Sequence, residues 1–290
     1  MSVLTLKAPA KLNLTLEVLA KCQDGFHEIR SVIQTINLCD SLRFKPSQNV
    51  EYHSNQPGWI PEKSLVSRAV SLIQQVTRYN KGVTLEVYKR IPLLSGLGGD
   101  SSDAAATLRG LNRLWGLGLS PKELLVLASQ LGSDVAFFIY GGTALVKGRG
   151  EIVSPLPPIS PMWVVLMLPP VPRLLGKTER LYARLEASHY TEGKITDRLV
   201  AQITGDREVM PSMLFNVFDD IALDSFAGLK EYRQQFLVAG AEMVHLAGSG
   251  PTLFTVMRNR AQAEKIYRRL RLQGLESHLV ATLATIDKSE

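Results

Sequence analysis

The sequence predicts an α+β chain divided into two domains, and three observations predict it. Alternating stretches with β-branched residues, at 3–19 and 83–91, read as strands. Segments with helical spacing stand among them, at 64–76 and from Ala104 through Leu108, Leu111 and Trp115. A proline-rich stretch at 154–161 then leads into a second run of strands and helices, so 1–155 and 156–290 are expected to form the two units.

The first stretch carries an ordered face. Lys11, Asn13, Thr15 and Glu17 fall on one side of a strand and Leu12, Leu14 and Leu16 on the other, so the polar side either lines a cleft or faces water. Residues 24–41 begin with a turn and continue into a mostly apolar strand, and 46–63 read as loop or irregular β structure. Ser120, Pro121 and Glu123 carry the hydroxyl, proline and carboxylate of a capped helix start, and that helix should stop at Gly132. Asp134 follows the break, where a helix N-cap is one reading. Residues 141–150 read as a hairpin and 163–168 as a short buried strand. Thr178 and Tyr182 sit four apart at the start of a helix, pointing the same way. A Gly-Ser-Gly-Pro turn at 248–251 precedes a β-branched strand, and a helix at 262–272 and a strand at 276–283 complete the second half.

Composition narrows the class. Across 290 residues, 45% are hydrophobic, which is ordinary for a soluble globular protein and excludes disorder. Only Cys22 and Cys39 are present, without histidine or cysteine at metal-ligand spacing, so neither a disulfide framework nor a zinc site is expected and a reducing cytoplasm fits. No apolar run approaches the ~18 residues that span a bilayer, so no membrane is expected. A net charge of +6 and a pI near 9.3 favour anionic ligands, without choosing among nucleotides, phosphorylated sugars and nucleic acid. Arg258, Arg260, Lys265, Arg268, Arg269 and Arg271 cluster near the C-terminus; lacking interleaved aromatic residues, they read as a solvated helix face.

The richest chemistry lies at 92–103. Gly96, Gly98 and Gly99 let the backbone turn tightly and bring N–H groups close to a ligand, while Ser101 and Ser102 add hydroxyls. A loop between a strand and a helix N-terminus places anionic oxygens on free amides at the positive end of the helix dipole. Two familiar loops fail by spacing: the third glycine of G-x-G-x-x-G falls on Ser101, and no Gly-Lys-Ser/Thr run occurs. A triphosphate loop of another kind, or a plain glycine-rich turn, remains.

Pro92, Gly96, Leu97, Ser101, Ser102 and Ala104 together resemble the phosphate motif of the GHMP kinases, and the longer glycine-rich form is similar to the branch acting on 4-diphosphocytidyl-2-C-methyl-D-erythritol in non-mevalonate isoprenoid synthesis. The resemblance implies a ribosomal-protein-S5-like β-α-β domain followed by a ferredoxin-like one. It implies ATP on Pro92, Leu93, Leu94, Ser95, Gly96, Leu97, Gly98, Gly99, Asp100, Ser101 and Ser102, with Mg²⁺ on the phosphates and no protein ligand for it assigned. It makes Lys11 and Asp134 catalytic, and adds Asn13, Phe26, His27, Thr178 and Tyr182 to the substrate site. The stretch 24–27 resembles the segment that recognises cytosine by a stacked ring and an imidazole. The partner implied is therefore a small cytidine-diphosphate-linked alcohol, with no nucleic acid. Phe26 stands where that branch has tyrosine, Ser64 where it often has asparagine, Ala136 where it has proline, and Ser95 and Asp100 where it has small residues. Asp100 is either an outward-facing turn residue or a metal contact. Asn216 to Asp219 match a family motif in part and are assigned a structural role. Another GHMP kinase, such as a homoserine kinase, and a nucleic-acid-binding α+β protein are the competing readings.

Overall fold

The computed structural model describes residues 3–57, 59–172 and 176–286. Its first sheet is built on two long antiparallel strands, β1 (Leu4–Lys21) and β2 (His27–Ser47), paired from Leu4↔Phe44 to Lys21↔His27. β3 (Val50–Ser54), inside the stretch expected to be loop or irregular, and β4 (Gly82–Tyr88) pair in parallel, joined by α1 (Leu65–Thr77). A parallel pair needs such a crossover, and Ser64 starts the helix by accepting from Ser67 N.

α2 (Gly99–Trp115) begins inside the glycine-rich loop rather than after it. α3 (Pro121–Leu131) has the predicted capping box of Ser120 and Glu123, and α4 (Ser133–Tyr140) follows at once with Gly132 as its N-cap. Asp134 is therefore in the first turn of α4 and does not cap it. β5 (Thr143–Gly148) adds to β2 and pairs with β6 (Ile152–Pro155), a hairpin whose second strand lies beyond the expected 141–150.

The second sheet contains β7 (Trp163–Leu168), β9 (His245–Leu246), β10 (Leu253–Met257) and β11 (Glu276–Ala281). Between β7 and β9 lie α5 (Lys177–Tyr182), α6 (Lys194–Thr204), β8 (Phe215–Asn216), α7 (Phe218–Ser225) and α8 (Leu229–Val238); α9 (Arg260–Leu272) links β10 to β11. The spatial order β11-β7-β10-β9, antiparallel throughout, is the ferredoxin-like arrangement of a β-α-β-β-α-β unit.

Among the described residues, three apolar cores hold the chain. The first joins the sheet to α1–α4 through Phe44, Leu85, Leu108 and Phe137. The second lies among β7, α7, α8 and α9, with Phe218, Phe236 and Ile266. The third joins the two sheets, packing Leu12, Leu14 and Ile36 against Leu166, Phe254 and Leu199. β1 is consequently covered on both faces. The halves also interlock, since β8 pairs in parallel with β1 and Leu283 N donates to Thr35 O.

Candidate active site

A cavity of about 1410 Å³ opens between the halves, and it gathers Lys11, Asn13, Phe26, His27, Asp134, Thr178 and Tyr182 with most of the glycine-rich loop. The loop is held from several sides. Asp40 Oδ1 accepts from Arg90 N and Ile91 N, fixing the chain as it leaves β4. Ser95 Oγ donates to Pro92 O at 2.6 Å, and Ser95 O accepts from Thr252 N of the Gly-Ser-Gly-Pro segment. Gly96 has φ +87°, and a Cβ there would sit 2.0 Å from Ala247 O, so no side chain fits. The first backbone bond of α2 runs from Ser102 N to Gly98 O; the amides of Gly99, Asp100 and Ser101 have no intrahelical partner. These amides and the dipole of a 17-residue helix form an anion cradle.

Two predicted loop residues do not line the cavity. The Leu97 side chain is fully buried in the third core, and its carbonyl accepts from Lys11 N at 2.9 Å. Ser102 is 1% exposed behind the first turn of α2. Both are supports of the loop and offer no side chain to a nucleotide. Asp100 does not simply face outward: it borders the cavity, with Oδ1 3.5 Å from Lys89 Nζ.

Lys11 and Asp134 meet from different elements. Lys11 is 4% exposed, its Nζ 2.8 Å from Asn13 Oδ1 and 3.5 Å from Asp134 Oδ2. Asn13 Nδ2 donates to Ser31 Oγ, which donates to Thr15 O, so the ammonium is aimed by a buried chain of hydrogen bonds. The expected polar face breaks at this point. The register shifts between Asn13 and Thr15, leaving Leu14 as the extra residue of a β-bulge. Beyond it the parity reverses: Leu16 borders the cavity, while Thr15 and Glu17 turn to α6, bonding Thr196 Oγ1 and Thr196 N.

At the other end of the cavity, Cys22 N donates to Phe26 O across a tight turn, and Asp24 Oδ1 accepts from Phe26 N. The Phe26 ring is exposed, and the His27 ring lies 4.9 Å from that of Tyr182. Burial, and then the charge of Lys21, lowers the His27 pKa below its ordinary value, favouring neutral imidazole. Burial, and then Asp134, raises that of the Tyr182 phenol. Thr178 Oγ1 lies 2.8 Å from Ser249 Oγ, joining α5 to the Gly-Ser-Gly-Pro turn.

The chain is also similar to known proteins over most of its length. Residues 64–142 match the model of the GHMP kinases N terminal domain and 207–274 that of the GHMP kinases C terminal. A 4-diphosphocytidyl-2-C-methyl-D-erythritol kinase of Dehalococcoides mccartyi is 50% identical over 285 residues, covering 98% of this chain and 100% of that protein. The chain belongs to the GHMP kinase family, in its 4-diphosphocytidyl-2-C-methyl-D-erythritol kinase branch. A Geobacillus thermodenitrificans kinase of the same name is 38% identical, over 92% of this chain and 93% of its own. A crystal structure of a 4-(cytidine 5'-diphospho)-2C-methyl-D-erythritol kinase superposes with a TM-score of 0.81 at 29% identity, covering 96% of this chain and 99% of that one. An L. major mevalonate kinase shares the fold, with a TM-score of 0.72 at 16% identity over 97% of this chain and 96% of that one.

This GHMP kinase also has site residues that sequence reasoning missed. Lys89, 7% exposed, reaches under the glycine-rich loop to Asp40 at 2.6 Å and Asp103 at 2.7 Å. Burial alone would lower the Lys89 pKa, but Asp103, Asp40 and Asp100 together raise it; burial pushes the Asp103 carboxyl well above the usual carboxylate range, against the pull of Lys89. The signal was a lysine ending an alternating strand just before the loop. Lys177 Nζ donates to Leu94 O and Gly250 O, tying α5 to both glycine turns. Asn216 Nδ2 donates to Leu246 O and Gly248 O, which is the structural role expected of it.

Proposed function

We propose that this GHMP kinase transfers the γ-phosphoryl group of ATP to the 2-hydroxyl of 4-diphosphocytidyl-2-C-methyl-D-erythritol, a step of non-mevalonate isoprenoid precursor synthesis. One observation carries the reading: the Lys11–Asp134 pair and the free amides of α2 border a single cavity whose far end presents Phe26, His27 and Tyr182.

In phosphoryl transfer most of the protein's contribution is positioning and charge stabilisation. The amides of 99–101 receive the triphosphate, with the rest of 92–102 shaping the loop. Asp134 orients the acceptor hydroxyl and takes its proton as the hydroxyl oxygen bonds to the γ-phosphorus, while the bond from that phosphorus to the β–γ bridging oxygen breaks and ADP leaves. Lys11 steadies the negative charge that develops between them. Asn13 and Thr178 hold the alcohol portion, and Phe26, His27 and Tyr182 hold the cytosine.

Mg²⁺ bound with the nucleotide would neutralise phosphate charge. Among the described residues no group of three or more histidine, cysteine, aspartate or glutamate side chains is disposed to hold a metal. The reading is of a cation carried mainly by phosphates and water, with Asp100 the carboxylate at the cradle.

The two units proposed are 1–155 and 156–290, the segment 156–162 joining the two sheets. A cytoplasmic location is part of the reading; no helix among the described residues is long and apolar enough to cross a membrane. Several cations near the C-terminus are occupied, Arg260 and Arg268 by Glu264 and Arg258 by Glu208, which favours the small-molecule reading over nucleic acid. The test is steady-state turnover with ATP and Mg²⁺ on the cytidylyl acceptor, homoserine and mevalonate. The reading expects turnover confined to the first; preference for either of the others overturns the acceptor assignment.

A further inference from the structure

Phe26 presents an exposed ring, 57% accessible, at the mouth of the cavity, and phenylalanine has no polar atom by which to hold itself there. Another part of the chain supplies the hold. The guanidinium carbon of Arg149 lies over the ring, 4.5 Å from its centroid, and Arg149 Nη2 pairs with Asp24 Oδ2. Asp24 thus serves twice, since its Oδ1 accepts from Phe26 N at 3.0 Å.

Arg149 itself stands on a fixed base. It lies in the turn between β5 and β6, where its N donates to Glu151 Oε2 at 2.6 Å and Gly150 N donates to Lys147 O at 3.1 Å. That turn packs closely on the start of α4: a Cβ on Gly150 would lie 2.8 Å from Ser133 Cβ, beside Asp134. The cation over Phe26 is therefore tied to the helix that carries the catalytic carboxylate.

We propose that Arg149 and Asp24 clamp the Phe26 ring as a wall of the cavity, making Arg149 a positioning residue for the planar base of the acceptor. This rests on reading the acceptor as a cytidine-diphosphate-linked alcohol. A guanidinium on one face leaves the opposite face to a planar ring. An isolated exposed ion pair contributes little, but here the pair also holds a cation on an aromatic face and restricts the rotamers of the ring before ligand arrives.

The test is a cycle of Arg149→Met, Phe26→Ala and the double variant. Arg149→Met should raise the acceptor KM about fivefold while kcat and the ATP KM stay within about twofold. In the Phe26→Ala background the same change should move the acceptor KM less than about twofold, because the ring through which Arg149 acts is gone. An unchanged acceptor KM in Arg149→Met, or the same factor in both backgrounds, overturns the proposal. A second readout needs no substrate: with 4-fluorophenylalanine at position 26, the ¹⁹F resonance should shift between the parent protein and Arg149→Met. An unmoved resonance removes the clamp. Absence of turnover on the cytidylyl acceptor by the parent protein, with the resonance shift present, would overturn the acceptor role while leaving the clamp itself standing.

Discussion

Lys11 Nζ lies 3.5 Å from Asp134 Oδ2, a cation from the first strand set against a carboxylate from the first turn of α4. The Lys11 side chain is buried and that of Asp134 is 40% exposed, so the lysine is fixed and the carboxylate is the partner open to the cavity. Asp134→Asn keeps the shape and removes the proton acceptor. It should still bind ATP, while turnover falls by about 10²–10⁴. Nucleotide titration beside initial rates checks this, and near-normal turnover would remove Asp134 from the chemistry.

His27 sets a pH dependence. Its pKa is lowered from the ordinary 6.5 by burial and by Lys21, so the folded protein takes that proton only below the pH at which the unfolded chain does. Stability contributed by neutral His27 is therefore present above 6.5 and declines as pH falls below it. The acceptor KM should stay flat from about pH 8 to about 6.5 and rise at lower pH, with the ATP KM unaffected by the same ionisation. His27→Ala should raise the acceptor KM and remove the inflection. An inflection above 6.5, or an unaltered acceptor KM in the variant, would contradict the assignment.

Lys89 is the cation on which buried carboxylates depend. Lys89→Met should lower stability by about 3–5 kcal/mol, because Asp40 and Asp103 are then buried without it. Asp103→Asn should cost clearly less, since Lys89 keeps Asp40. The raised Asp103 pKa means that the folded state holds its proton to higher pH than the unfolded chain, so stability falls as pH rises through the folded value; asparagine has no such fall. Urea denaturation across pH measures both, and the reverse order of costs would refute the description of the cluster.

Gly96→Ala tests the loop. With φ +87° and a Cβ 2.0 Å from Ala247 O, the substitution must displace either the loop or the Gly-Ser-Gly-Pro segment. The ATP KM should rise at least about tenfold, a change of about 1.4 kcal/mol in nucleotide binding. An unchanged ATP KM would show that the loop at Gly96 does not shape the nucleotide site.

What was legible in the sequence was local. The Ser120–Glu123 capping box and the apolar run of β7 depend on near neighbours and form as read, and the strand entering the loop forms but stops at Tyr88, short of the expected Ile91. The bulge at Leu14 was not legible, because alternation continues unbroken through it; only pairing with β2 shows that Thr15 and Glu17 turn from the cleft to Thr196. The same holds for the Lys89 cluster, assembled from Asp40 of β2 and Asp100 and Asp103 of α2, and for Arg149, which reaches Phe26 across the fold. Of the loop residues that the resemblance implies, Leu97 is buried in the third core and Ser102 in the first turn of α2, which spacing along the chain does not reveal.

The most direct test of the account is ³¹P NMR of the purified protein with ATP, Mg²⁺ and 4-diphosphocytidyl-2-C-methyl-D-erythritol. The account predicts one new phosphomonoester resonance on the acceptor, growing in equal proportion with ADP and all but absent with Asp134→Asn. ADP forming without that resonance, or the resonance growing as fast with Asp134→Asn, would contradict it.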